Sequence, residues 1–349
     1  MNWTSADAST PERICDRFRI VAPANHPDEV AALAQSGASE IYCGVLPASW
    51  SERYGDWDCL SRRQGNVANL SSIEQLQEVA RLAKSMGMRA SLALNARYTA
   101  EQIPEVLDLA LAWEQAGGAS VIVSSLAVLM GLQERGSKLF RHISILANVT
   151  NSQAVAFFRR FGARRVIFPR DLTIPEMAAV ISNQPHIEYE AMALNEKCRF
   201  IDGLCGFYHG TMYPDDAASV FAYERNDGNR TPTVYAHDLC YAGHGCQVSF
   251  NDERGKPVPQ PNRDDVNRPA CAACSLLYLH RAGVRFLKIG GRGLPTELKL
   301  RAVSYLRNAV ELALNGTSLE KMRELYRHTF GQDCGGASCY YPTPSPAEE

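Results

Sequence analysis

The sequence predicts an α/β chain folded as a (β/α)8 barrel of the TIM-like kind, regular or distorted. Short β-branched runs alternate with helical stretches along most of the chain, and alternation of this kind requires parallel strands with helical crossovers. There are eight such runs, the number that closes this barrel. The rival is an open doubly wound sheet, but no strand is followed by a full GxGxxG fingerprint. Gly291-Arg-Gly293 comes nearest, with Thr296 where the third glycine belongs.

The strands are predicted at 18–22, 40–44, 89–94, 120–124, 142–147, 165–169, 187–194 and 285–289. Apolar residues at spacings of three and four predict helices between them, among them 73–85, 100–115, 151–161 and 173–181. Capping-box pairs open several: Ser71 with Glu74, Thr99 with Gln102, Thr173 with Glu176. Gly37, Gly87, Gly117, Gly162 and Gly283 stand where helices give way to strands. The barrel domain is expected over 18–315, preceded by a polar extension, 1–17, and followed by a helix and Pro-rich tail, 316–349. One stretch breaks the rhythm. Residues 206–270, between strands seven and eight, are rich in Gly, Asp, Asn, Arg and Pro and read as a cysteine-bearing insertion. Metal bonds fold a segment whose apolar content cannot.

The 349 residues carry 36 Lys and Arg against 38 Asp and Glu, a formal charge of −2, with 46% hydrophobic residues. That balance suits a globular chain and excludes a disordered one. It gives no general pull toward nucleic acid, so RNA is the less favoured partner. The densest basic patch is Arg159-Arg160, Arg164-Arg165 and Arg170. No apolar run reaches the roughly 18 residues of a membrane span, and residues 1–17 lack the pattern of a signal peptide. A cytoplasmic location is expected, with no membrane partner.

Eleven cysteines are many for such a chain, and six fall between residues 198 and 274. Outside an oxidising compartment disulfides explain them poorly, and an iron–sulfur cluster or zinc explains them better. Spacing alone leaves the two metals open, since Cys271-x-x-Cys274 is also a zinc half-site. Cys43, on strand two, reads as a core thiol; Cys334 and Cys339 carry no assignment.

Four segments bear on family. Leu146-Ala-Asn-Val-Thr-Asn-Ser-Gln-Ala-Val155 resembles the Q-x-N-x-T-N-x-x-A segment of the peptidase U32 (collagenase-like) proteins. Glu190-Ala-Met-Ala-Leu-Asn-Glu-Lys-Cys198 resembles their E-x-F-x-H-G-x-x-C signature. Cys198 and Cys205 reproduce their paired cysteines, and Ala282-Gly-Val-Arg-Phe-Leu-Lys-Ile-Gly-Gly-Arg292 resembles their A-G-V-x-x-x-K-I-E-G-R element. The chain departs from the pattern at Leu146, Met192, Leu194, Asn195 and Gly290, the last standing where the family usually has Glu. It reads as a divergent branch. The resemblance implies a [4Fe–4S] protein of the kind that supports oxygen-independent hydroxylation of tRNA, rRNA or ubiquinone precursors. It assigns Cys198 and Cys205 as ligands, Cys240 or Cys246 as the third, and Cys271 or Cys274 as the fourth. It also implies prephenate as an oxygen donor and, in some relatives, a homologous partner chain.

Further candidates follow from strand ends, where a barrel gathers its active site. Asn95 and Arg97 follow strand three, Asn148 and Asn151 strand five, Arg170 strand six and Arg292 strand eight, while Glu190 lies on strand seven. Glu190, Arg170 and Asn148 are the catalytic candidates; Asn95, Arg97, Asn151 and Arg292 are the substrate-binding ones. The arginines suit bidentate binding of carboxylates or phosphates. The bland alternatives are helix caps for Asn148 and Asn151, a surface pair of Arg170 with Asp171 or Glu176, and a buried ion pair for Glu190. His209, His237, His244 and His280 read as solvated residues, and neither HExxH nor GxSxG occurs. The leading expectation is an iron–sulfur hydroxylase acting on a small metabolite or nucleobase; a U32-type peptidase and a non-catalytic iron–sulfur partner subunit are the alternatives.

Overall fold

Eight parallel strands close into one barrel in the order of the chain. The computed structural model describes residues 18–55, 59–63, 67–197, 202–204, 269–334 and 339–341. The predicted extension 1–17, Cys198, Cys205, Cys240, Cys246 and all of 206–270 but Pro269 and Ala270 lie outside them.

The elements run β1 (Arg19–Pro23), α1 (Glu29–Ser36), β2 (Glu40–Cys43), α2 (Ala48–Tyr54), α3 (Ile73–Ser85), β3 (Arg89–Leu94), α4 (Ile103–Gln115), β4 (Ser120–Val123), α5 (Leu126–Glu134), β5 (Phe140–Ile143), α6 (Ser152–Arg159), β6 (Ala163–Ile167), α7 (Ile174–Asn183), β7 (Glu188–Leu194), α8 (Leu276–Ala282), β8 (Phe286–Ile289), α9 (Thr296–Leu314) and α10 (Leu319–Phe330). The helices show why they form where they do. α3 buries Leu76, Val79, Ala80 and Ala83, one stripe at helical spacing, and starts where the Ser72 side chain accepts from the Gln75 N–H. α7 opens with the full Thr173–Glu176 capping box and carries Pro at its first turn. Gly283 ends α8 in the left-handed conformation, φ 101°, which an L side chain adopts only with strain.

Two strands sit earlier than the hydrophobic pattern predicts. β5 stops at Ile143, not Ala147, because the Ser144 hydroxyl accepts from the Leu146 N–H at 3.2 Å and turns 145–147 into one 3₁₀ turn. β6 ends at Ile167, where Phe168 still donates to the Glu190 carbonyl but Pro169 has no N–H to give.

The barrel interior is layered. Val21, Tyr42, Ile122, Ile167 and Phe286 form an apolar plug. Toward the N-terminal ends lies a charged layer built on Arg165, which is fully buried. Its guanidinium donates to Glu40, Glu188 and Glu190, each at 2.8 Å, and lies 3.4 Å from the Phe286 ring centroid. Glu40 is on β2 and Arg165 on β6, opposite walls of an eight-stranded ring, so this pair spans the lumen. Outside the barrel, the aliphatic faces of the helices cover the strands, and Trp113 is fully enclosed with its indole N–H donating to the Ser120 carbonyl at 2.9 Å. Burying a side chain of that size contributes about 3 kcal/mol. No helix among the described residues is long and apolar enough to cross a membrane.

Candidate functional site

The C-terminal ends of the strands surround a cavity of about 120 Å³. Five cationic side chains line it, Arg62, Arg63, Arg170, Lys288 and Arg292, against two carboxylates, Glu196 and Asp202. Positive groups outnumber negative ones along the lining, though Arg63, Arg170 and Lys288 are each paired with a carboxylate.

Of the residues predicted from sequence, three line the cavity: Asn95, Arg170 and Arg292. Asn95 donates to the Ser144 hydroxyl at 3.1 Å and accepts from the Arg62 N–H at 3.4 Å. Arg170 forms no pair with Asp171 or Glu176. It holds the Asp202 carboxylate with Nε at 3.0 Å and Nη2, and also donates to the Glu196 carbonyl. Glu176 is engaged in the cap of α7. Arg292 is buried and donates to Ser61 Oγ at 2.8 Å and Asn69 Oδ1 at 3.4 Å. Both partners are neutral, and among the described residues Arg292 has no ion pair within 4 Å. Burial lowers its pKa from the usual arginine value.

Glu190 lies beneath the cavity. It is buried between Arg165 and Lys288, each at 2.8 Å. Burial opposes its charge, but Lys288 and Arg165 outweigh burial and hold the carboxyl below its ordinary range. It is a fixed carboxylate that positions Lys288, whose ammonium lies 3.8 Å from the Tyr42 ring centroid. Asn148 adopts the left-handed conformation, φ 52°, after the 3₁₀ turn; its Oδ1 is buried without a partner among the described residues. Asn151 caps α6 by accepting from the Ala154 N–H at 2.9 Å, the bland alternative. Arg97 is exposed and outside the cavity.

Sequence reasoning missed Tyr42, Arg62, Arg63, Lys288, Glu196 and Asp202 as cavity residues. Lys288 was signalled by its place in the K-I-G-G-R run. Arg62 and Arg63 belong to the irregular path between α2 and α3, where no periodicity points inward. Glu196 and Asp202 flank Cys198 in the sequence, and both reach the mouth. Glu196 pairs with Arg63 at 2.5 Å.

Cys271 pairs with Leu194, at the end of β7, through an antiparallel bridge. Ala272 N–H donates to Ala193 O, and Asn195 N–H to Ala270 O, both at 2.8 Å. The backbone of Cys271 therefore lies against the strand from which the chain runs on to Cys198. Cys274 stands three residues on and is half-buried. Among the described residues, no group of three or more His, Cys, Asp or Glu is placed to hold a metal ion.

The profile of the family described as Peptidase family U32 matches residues 25–341 of this chain. The chain belongs to peptidase family U32. Within that family it is 22% identical over 316 residues to the collagenase of Porphyromonas gingivalis, covering 86% of this chain and 67% of that protein. It is also 27% identical over 133 residues to tRNA hydroxylation protein P of Escherichia coli, covering 38% of this chain and 29% of that protein. The solved U32 peptidase Mk0906 superposes on 55% of this chain and 72% of its own, with a TM-score of 0.37 and 15% identity. This U32 chain thus spans two thirds of one curated relative and under a third of the other.

Proposed function

We propose that this U32 protein is a [4Fe–4S] oxidoreductase that hydroxylates a small anionic metabolite, or a nucleobase, without molecular oxygen. The observation that carries the reading is Arg292, a buried guanidinium on the cavity wall whose hydrogen-bond partners are neutral. A buried charge without a directly bonded counter-ion is costly, and an anionic ligand at the mouth would offset part of that cost.

Two observations support a cluster close to the mouth. Glu196 and Asp202, on either side of Cys198, line the cavity, and Cys271 is bonded to the end of the same strand. Cys198 and Cys205, with thiolates from Cys240, Cys246, Cys271 or Cys274, would hold it. When bound, such a cluster supplies single electrons at low potential. The chain's own residues bind and orient. Arg292 and Arg170 grip carboxylates, as the two of a prephenate-like oxygen donor require. Asn95, fixed by Ser144, offers its amide to a neutral oxygen. Lys288, fixed by Glu190, presents a positive charge from below.

Anaerobically purified protein is expected to be brown and to hold about four irons and four acid-labile sulfides per chain. Iron-free, colourless protein under those conditions ends this reading. A hydrolase reading draws support from the collagenase match and would rest on the Ser144 hydroxyl at the cavity wall. Proteolysis retained when Cys198 and Cys205 are both changed to Ala would favour it.

A further inference from the structure

Two buried lysines are each bonded to a glutamate, and they differ in what they face. Lys299 Nζ donates to both oxygens of Glu29, at 2.8 and 3.0 Å, and is not among the residues that line the mouth. Lys288 Nζ donates to Glu190 at 2.8 Å and does line it. An amine shielded from bulk water yet open to a ligand chamber has the setting of a covalent catalyst. The floor under Lys288 is apolar. Its Nζ lies 3.8 Å from the Tyr42 ring centroid, and Ile122, Ile167 and Met192 line the same chamber. The Tyr42 ring is held in place, since its hydroxyl donates to the Ile289 carbonyl at 2.9 Å. The Arg292 guanidinium stands beside that ring too, 6.0 Å from its centroid. A fixed aromatic side chain thus sets an amine and a carboxylate-binding group around one space.

We propose that Lys288 condenses with the carbonyl group of a 2-oxo acid whose carboxylate is held by Arg292, making the barrel mouth a covalent imine site. The inference rests on the anionic-ligand part of the reading above and adds a carbonyl group and a bond to the protein. Three observations support it. The amine reaches the chamber, while the equally buried Lys299 does not. A guanidinium with neutral hydrogen-bond partners stands beside the same ring, ready for the carboxylate. Burial, with Arg165 and Arg292 nearby, lowers the Lys288 pKa from its usual 10.5 against the opposing pull of Glu190. A neighbouring cation and an apolar floor are the two means by which a lysine becomes nucleophilic near neutral pH.

The step balances without an oxidant or a reductant. Nζ attacks the carbonyl carbon next to the carboxylate. Two ammonium protons pass to the carbonyl oxygen, which leaves as water, and the third stays on the iminium nitrogen. Glu190, already bonded to Nζ, accepts a proton from it and returns one to the departing oxygen. One C=O bond becomes one C=N bond and the charge is conserved. The iminium therefore keeps the positive charge that Glu190 pairs with, and the buried layer below the chamber is undisturbed.

The test uses the full chain, purified anaerobically, incubated with 2-oxoglutarate at neutral pH and reduced with cyanoborohydride, which turns an imine into a stable secondary amine. Peptide mass mapping should find the adduct on Lys288 and not on Lys299 or the exposed Lys84, Lys138 and Lys321. Glutarate, which has the carboxylates and no ketone, should suppress it. Lys288→Arg, which keeps the charge beside Glu190, should lose the adduct. Arg292→Gln should form it roughly 10- to 100-fold less readily, the worth of hydrogen bonds to a charged group. Should Lys288→Arg fail to fold, the mapped position and the glutarate protection in the parent chain decide the matter. No adduct, an adduct spread over exposed lysines, or an adduct on Lys288 indifferent to glutarate would each overturn the proposal. Its failure and that of the cluster reading are distinguishable: an adduct on iron-free protein ends the cluster reading alone, and iron-replete protein without an adduct ends this inference alone.

Discussion

The Glu196 side chain fills the space beside Gly290: a β-carbon on Gly290 would stand 2.8 Å from the Glu196 carboxylate and 2.9 Å from its Cβ and Cγ. Residue 290 is where U32 relatives usually carry Glu. Glu196 follows β7 in the left-handed conformation and pairs with Arg63. Gly290→Ala is therefore expected to cost about 1–3 kcal/mol through overpacking. Gly290→Glu combined with Glu196→Ala should recover most of that loss. Denaturant melts of the three variants check it, and an unperturbed Gly290→Ala protein would contradict the relationship.

Arg292 separates stability from binding. Arg292→Gln removes a buried charge whose hydrogen-bond partners among the described residues are the neutral Ser61 and Asn69. Its melting temperature should stay unchanged or rise. Its affinity for a dicarboxylate should fall by about 1.5–3 kcal/mol, roughly 10- to 100-fold, the worth of hydrogen bonds to a charged group. Calorimetric titration with prephenate or a similar dicarboxylate measures the second effect and a thermal melt the first.

Much of this was legible in the sequence, for identifiable reasons. Eight strands and the helices between them follow from periodicity, and Thr173 with Glu176 marks the α7 start as it stands. Asn95, Arg170 and Arg292 reach the mouth because the loops that follow barrel strands gather there, although Arg97, just past β3, does not. What was not legible depends on contacts distant in sequence. The Arg170–Asp202 pair joins residues 32 apart, and the Cys271–Cys339 bridge joins β7's neighbour to the tail. Nothing in the polar run around Cys334 and Cys339 announces that Tyr340 and Tyr341 bury themselves against the barrel.

The charged layer should be visible in acid. Glu190 has its folded pKa depressed below the ordinary 4.5 by Lys288 and Arg165, against the opposing effect of burial. Its stabilisation is present above that ordinary value and is lost as pH falls through the lower folded value. Glu190→Gln should destabilise by about 3–5 kcal/mol at neutral pH, because it breaks a buried pair from one side. Unfolding curves taken through the acid range should show that variant losing less further stability than the parent.

A second acid response is expected at higher pH. His142 is buried in the barrel, with neither ring nitrogen bonded among the described residues. Burial, then Arg165 and Arg89, holds its pKa well below 6.5. The unfolded chain takes up a proton near 6.5 that the folded chain refuses, so stability falls as pH drops below that value, by at most about 1.4 kcal/mol per pH unit. His142→Leu should flatten the profile between about 6.5 and 4.5 and leave the Glu190 response in place. An unchanged slope in that window would show that another group titrates there.

The Arg165–Glu40 strut bears on traffic. Among the described residues, the lumen is bridged by charge and plugged by Phe286 and its neighbours, so the chamber above is closed toward the N-terminal ends of the strands. Whatever departs must use the doorway through which its precursor arrived. On the proposed reading, a spent molecule would have to clear the arginines before the next one entered, and slow departure would throttle the whole cycle.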